Sequence, residues 1–181
     1  MLVAERIAVD HGRTMEWQIK TMADCSARTG THFNPGERVA CLIHMDGEAG
    51  ELCRSDLLES EVEGFALPGP LLGRWSRQVE EPDADSGSAP ATLQSAEDFF
   101  LSLFSDGPEG EEPPPEKQAL QHLLALFLER KRVLRAVGPR RIDGEQPYLH
   151  VKSKRTFDVP VVTVSASLME GIEDAIGELI F

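Results

Sequence analysis

The chain has no uninterrupted run of the roughly 18 or more apolar residues that a membrane-crossing helix needs, so no spanning segment is expected. Its first residues, MLVAERIAVDHG, lack the basic stretch and long apolar core of a secretory leader. Cysteine is scarce: Cys25, Cys41 and Cys53 are an odd number with no close pair, which does not suggest a disulfide framework. The expectation is a cytoplasmic protein with reduced thiols. A glycine-rich phosphate loop is also missing. Gly69 and Gly73 come nearest, but without the lysine or the strand–loop–helix setting that such a loop requires. No internal repeat is found. Basic residues are in short supply, 18 against 31 acidic ones, giving a net charge of −13 and a pI near 4.8. Such a molecule repels nucleic acid and anionic membranes as a whole.

What is present is unevenly distributed. Residues 80–116 carry eleven acids and no lysine or arginine. Residues 130–158 carry nine basic residues against three acids, half of all the cations in the chain. A length of 181 residues fits one modest unit or two small ones joined by a linker. Composition divides the chain accordingly. Residues 1–14 read as a flexible extension, and residues 15–79 as a small antiparallel β module. Residues 80–115 read as an acidic linker with a short helix at 96–105. Residues 116–181 read as a helix, a hairpin and a C-terminal helix. The fold class expected is α+β.

The clearest element is the helix expected over 116–137. Leu120, Leu123, Leu124, Phe127, Lys131 and Leu134 recur at helical spacing, apolar at all but one position. Pro113, Pro114 and Pro115 precede it and Gly138-Pro139 follow, punctuating both ends. Its last turns hold Arg130, Lys131, Arg132 and Arg135, where cations suit the helix dipole. Leu120, Leu123, Leu124 and Phe127 are the expected core. A stripe wider than one partner can cover would favour pairing with a second copy, so a homo-oligomer is an option.

Upstream, Met15 to Lys20 alternates apolar and polar, placing Trp17 and Ile19 inward on a short strand. Arg38 to Met45 is the best strand, followed by a hairpin loop at 46–50 and a return strand at 51–55. Leu72 to Val79, around Trp75, reads as an edge strand, and both tryptophans as core anchors. Ser95 caps the short helix, whose apolar face is Phe99, Phe100, Leu103 and Phe104. The hairpin is expected from Arg140–Ile142 through Asp143-Gly144 to Tyr148–Lys152 and on into Thr156–Pro160. Ser167 and Glu170 have capping-box spacing for the last helix, with Leu168, Ile172, Ala175, Ile176 and Leu179 as its stripe.

Metal chemistry has five candidate ligands: Cys25, His32, Cys41, His44 and Cys53. A structural zinc wants four such groups, commonly in two close pairs on turns. Only Cys41-x-x-His44 is close, and on a strand that odd spacing sends the side chains to opposite faces. The simpler reading is buried thiols and exposed histidines, with no metal and no cofactor. Catalysis finds no constellation either. Ser55-Asp56 has no histidine placed beside it as a base. Glu59, Glu61 and Glu63 could share one face of an extended segment, which reads as a solvated face. The chain is therefore taken as non-enzymatic.

Trp17-x-Ile19-Lys20, Cys25, Thr29-Gly30, Phe33, Gly36-Glu37, Arg54-x-Asp56 and Trp75 form one half of a longer pattern. Leu128 to Arg135, Tyr148-x-His150 and Thr156-Phe157-x-Val159-Pro160 form the other. Together they resemble an uncharacterised family of small bacterial proteins with a zinc-ribbon-like N-terminal β module and a C-terminal LERKR-type helix. The resemblance implies two CxxC pairs in the ribbon. Here Arg28 stands where the second cysteine of the first pair would be, and residues 56–59 show no second pair. It therefore implies a ribbon scaffold that has lost its metal, and it implies no activity.

The basic cluster is the remaining candidate site: Arg130, Lys131, Arg132, Arg135, Arg140, Arg141, Lys152, Lys154 and Arg155. As a partner-binding surface it suits a protein partner. The alternative is a nucleic acid, with Tyr148 and Phe157 as stacking platforms beside the phosphate-binding cations. A third reading leaves the cluster solvated or neutralised by the chain's own acids.

Overall fold

A computed structural model of the chain describes residues 23–79, 89–105 and 112–180. The extension at 1–14, the strand at 15–20 with Trp17 and Ile19, and the segments 80–88 and 106–111 lie outside the described residues. Among the described residues the fold is α+β. The elements are β1 (Arg38–Met45), β2 (Leu52–Leu58), β3 (Leu71–Gln78), α1 (Ala89–Ser102), α2 (Pro115–Arg130), β4 (Leu134–Ala136), β5 (Glu145–His150), β6 (Thr156–Pro160) and α3 (Ala166–Ile180). They form two antiparallel three-stranded sheets, ordered β2-β1-β3 and β4-β5-β6.

β1 is the central strand of the first sheet, and its unbroken apolar run has a physical cause. Val39, Cys41 and Ile43 face the main core, while Ala40 and Leu42 pack with Leu57 on the reverse side. That reverse side is covered by Val62, Phe65, Leu67 and Leu71, mostly from the irregular segment after β2. A strand buried on both faces has no reason to alternate. Close backbone packing holds this segment in place. A Cβ on Gly69 would lie 2.1 Å from the Met45 carbonyl oxygen, and the Met45 amide donates to the Pro70 carbonyl at 3.1 Å.

α1 lies between the sheets. Phe99 and Phe100 are both fully buried, and their consecutive positions turn them about 100° apart on the helix. Phe99 meets Trp75 of the first sheet with ring centroids 4.9 Å apart. Phe100 meets Phe157 of the second at 5.4 Å, edge to face. Both sheets therefore share one core with α1, α2 and α3. The helix starts at Ala89, not at 96, so Ser95 is an interior residue and not a cap. Pro90 is tolerated because a proline in the first turn forfeits no internal hydrogen bond.

The long helix stops earlier than its periodicity suggests. α2 ends at Arg130, Lys131 is its C-cap, and Arg132 takes a left-handed backbone with φ 62°. The chain then enters β4, so Leu134 reaches the core from a strand and not from the helix stripe. Inside α2 the deepest positions are Leu120, Leu124, Ala125 and Leu128, while Leu123 and Phe127 are half-buried. The chain's own elements pack against that face.

The second sheet also differs from the expected hairpin. Residues 140–142 are irregular; β5 pairs instead with β4 and β6. Leu134, Tyr148, Phe157 and Val159 point inward, and Arg135, Thr156 and Asp158 point to solvent. At the C-terminal helix the cap is Ser165 in place of Ser167, its hydroxyl accepting the Leu168 amide at 3.3 Å. Ile172, Ala175 and Ile176 are its core face, and Leu168 is half-buried.

Candidate functional site

The short strand β4 organises the basic cluster. The Val151 amide donates to the Val133 carbonyl at 2.9 Å, which sets the β5–β6 hairpin tip against the turn that follows α2. Lys131 and Arg132 of that turn thus neighbour Lys152, Lys154 and Arg155 of the tip. Arg130 closes the helix beside them. Arg135 sits mid-strand opposite Leu149 on the outer face. Arg140 and Arg141 follow the other end of β4, where the Arg141 amide donates to Gln146 Oε1 at 2.9 Å. All nine cations are exposed.

Their partners separate one from the rest. Arg140 folds back onto Glu129 in an ion pair and donates to the Tyr148 hydroxyl at 2.7 Å. The Glu129 carboxylate holds that guanidinium charged beyond its ordinary range, and burial pushes the Tyr148 phenol up. Among the described residues none of the other eight cations is in an ion pair. Lys131 and Arg155 lie over Phe127 and Phe157 at 5.5 and 5.1 Å.

The stacking expectation is corrected. Tyr148 and Phe157 are 3% and 5% exposed, turned inward by the alternation of β5 and β6, so neither offers a ring face to a base. A different feature accompanies the cations, one the sequence reading did not single out. Among the described residues the exposed large hydrophobics are Val137, Ile142 and Val151, and all three fall within 130–155. Ile142 is 92% exposed. Its signal in sequence was only an isoleucine between Arg141 and Asp143.

The five candidate metal ligands do not converge; among the described residues no three His, Cys, Asp or Glu groups are placed to hold a metal ion. Cys25 and His32 face each other across an isolated bridge. His44 is buried, contrary to the expectation of exposed histidines, because its Nε2 bonds Ser55 Oγ at 3.0 Å between neighbouring strands. Cys53 is the cross-strand partner of His44, and Cys41 lies in the main core. Arg28, at the position where the resemblance would put a cysteine, donates instead to the Glu61 and Glu63 carbonyls at 2.8 and 3.0 Å. Glu59, Glu61 and Glu63 do not share an extended face, since Glu59–Glu61 is a 3-10 turn. Glu59 pairs with Arg38, and Glu61 accepts from the Ser26 and Thr29 hydroxyls, which hold its carboxyl below the usual range.

A second polar constellation lies between β2 and α3. Arg54 and Asp56 share a strand face at i and i+2 and form a bidentate pair at 2.7 and 2.8 Å. The guanidinium sits 5.0 Å from the Trp75 ring centroid and donates to the Ala175 carbonyl at 3.4 Å and Cys41 Sγ at 3.5 Å. The pair lines the floor of a groove of about 1180 Å³ between residues 23–27, β2 and α3, which also exposes Glu51, Glu116 and Glu170.

Burial, and then the Asp56 charge, push the Cys41 thiol up to about 12. A thiol-alkylating reagent at pH 8 is therefore expected to leave Cys41 unmodified in the native protein and to reach it only after denaturation, as peptide mass mapping would show. The same shift sets a sign for alkaline stability. The unfolded chain releases this proton near 9 and the folded chain only near 12, so stability is lost as pH rises through that window.

Comparison with protein-family models, curated proteins and solved structures gives no match.

Proposed function

We propose that the chain is an interaction protein that takes an acidic protein partner on the surface formed by residues 130–155. The observation that carries this reading is the coincidence of exposed aliphatics with unpaired cations. Val137, Ile142 and Val151 lie among Arg130, Lys131, Arg132, Arg135, Arg141, Lys152, Lys154 and Arg155. Apolar contacts supply affinity once desolvated, and complementary charge supplies orientation and rate. A nucleic acid would use the same cations, but the inward rings of Tyr148 and Phe157 and the net charge of −13 count against it.

The test is affinity capture from extract of the native cell, with wild-type protein and with two variants. Ile142→Asp and the double variant Arg132→Glu/Lys154→Glu are each expected to weaken capture of the partner by roughly tenfold or more. Both sites are exposed, so the fold is retained, which circular dichroism checks. Equal capture by wild type and both variants sinks the proposal. So does retardation of DNA or RNA at low salt that fades by about a thousandfold over a few-fold rise in salt, the mark of phosphate binding.

A further inference from the structure

His150 is 2% exposed, yet both of its ring nitrogens are engaged by side chains, one from α1 and one from the turn that follows β5. Nε2 lies 3.1 Å from Glu97 Oε1 of α1, and Nδ1 lies 2.6 Å from Ser153 Oγ. The Ser153 backbone N–H also donates to Nδ1, at 3.3 Å. An amide can only donate, so Nδ1 is the acceptor and the ring proton sits on Nε2, directed at the Glu97 carboxylate. Nδ1 therefore also receives the Ser153 hydroxyl proton. A nucleophile, a base and a carboxylate that orients the base are thus in hydrogen-bonding sequence, with the two ring nitrogens exchanged relative to the usual triad.

Nothing comparable exists at the other buried histidine–serine contact. His44 reaches Ser55 at 3.0 Å, but Ser55 is itself buried and no carboxylate is bonded to the ring. Ser153 is exposed at the hairpin tip. The following residue, Lys154, holds a left-handed backbone at φ 61°, a conformation that non-glycine residues seldom adopt. The Arg155 amide donates to Ser153 Oγ at 3.4 Å. Lys152 and Lys154 flank Ser153 in the chain and Arg155 follows, so the turn that carries the hydroxyl is cationic and suits a substrate with an anionic group.

We infer that Ser153 is an activated nucleophile, with His150 as its base and Glu97 as the positioning residue, acting on carboxylic esters that carry an anionic group. Ser153 Oγ bonds to the ester carbonyl carbon as its proton passes to Nδ1. The carbon–oxygen bond to the alcohol then breaks, and the alcohol leaves with that proton. Water, giving its proton to Nδ1 in turn, releases the acid and restores the serine. Glu97 holds the imidazolium that forms at each stage. The inference stands apart from the partner-binding reading: Ser153→Ala keeps every cation, so partner capture should not change even where ester chemistry is lost.

The test uses the full chain, a fluorophosphonate probe and the p-nitrophenyl half-ester of succinate. Wild type is expected to gain one fluorophosphonate adduct, mapped to Ser153, with fluoride as the leaving group. Ser153→Ala loses the adduct, and His150→Gln slows its formation by about a hundredfold or more. Since His150 is buried, Glu97→Gln provides a second readout. It lowers kcat for the half-ester with KM unchanged, and Glu97→Asp restores part of the loss. Absence of labelling above the Ser153→Ala background overturns the inference. So does labelling of Ser153 that proceeds equally fast in folded His150→Gln, or a kcat unchanged in Glu97→Gln.

Discussion

Asp56→Asn lowers the stability of the fold by about 3–5 kcal/mol, the cost of removing the charge from the carboxylate of a buried bidentate pair with Arg54. The side chains of Asp56 and Arg54 are 2% and 12% exposed, so water cannot replace the lost carboxylate. The isosteric amide keeps the volume but turns donors toward a guanidinium that has only donors itself. It also weakens the acceptor for the Ala23 amide, which Asp56 Oδ2 holds at 3.2 Å. Urea denaturation is the measurement: the midpoint should fall with the slope unchanged. Replacing both members with apolar residues, as in Arg54→Met with Asp56→Leu, should recover much of the loss, because the penalty comes from breaking the pair and not from the absence of charge. A single Asp56→Asn variant as stable as wild type would show that the pair is solvated in solution.

Phe99→Ala is expected to cost a similar amount, about 3–5 kcal/mol, for a different reason. The ring is fully buried and faces Trp75, and the first sheet is shaped to receive it. A Cβ at Gly73 would stand 2.7 Å from the Phe99 ring and 2.8 Å from Leu103 Cδ2, so the strand has no side chain to move into the space vacated. The cavity therefore persists in place of collapsing, which puts the substitution toward the upper part of that range. Thermal unfolding followed by near-ultraviolet circular dichroism reads both the loss of stability and the change around Trp75. A loss below about 1 kcal/mol would mean that α1 re-seats against the sheet.

How much of this was legible in the sequence depends on how local each cause is. β1 could be read because its apolar run is local, and its lack of alternation matches burial on both faces. The start of α2 was legible from three successive prolines. Its end was not. Arg130 to Arg135 is rich in good helix formers, and what stops the helix is a strand pairing with residues some fifteen positions on, through the Val133 carbonyl and the Val151 amide. The Arg54–Asp56 pair could have been found from the i, i+2 rule on a strand alone. The Glu97–His150 contact could not, since 53 residues separate the two and nothing in either neighbourhood points to the other. The cationic surface was visible as composition, while the inward turn of Tyr148 and Phe157 required knowing which face of β5 and β6 meets α1.

The two adjacent phenylalanines of α1 have a consequence for how the chain tolerates change in length. One residue inserted between Phe99 and Phe100 would turn everything beyond it by about 100°, so one sheet would keep its aromatic partner and the other would lose it. Deleting either residue does the same in the opposite sense. The helix thus acts as a keyed shaft between two plates: substitutions can be absorbed ring by ring, but its register is fixed in whole residues.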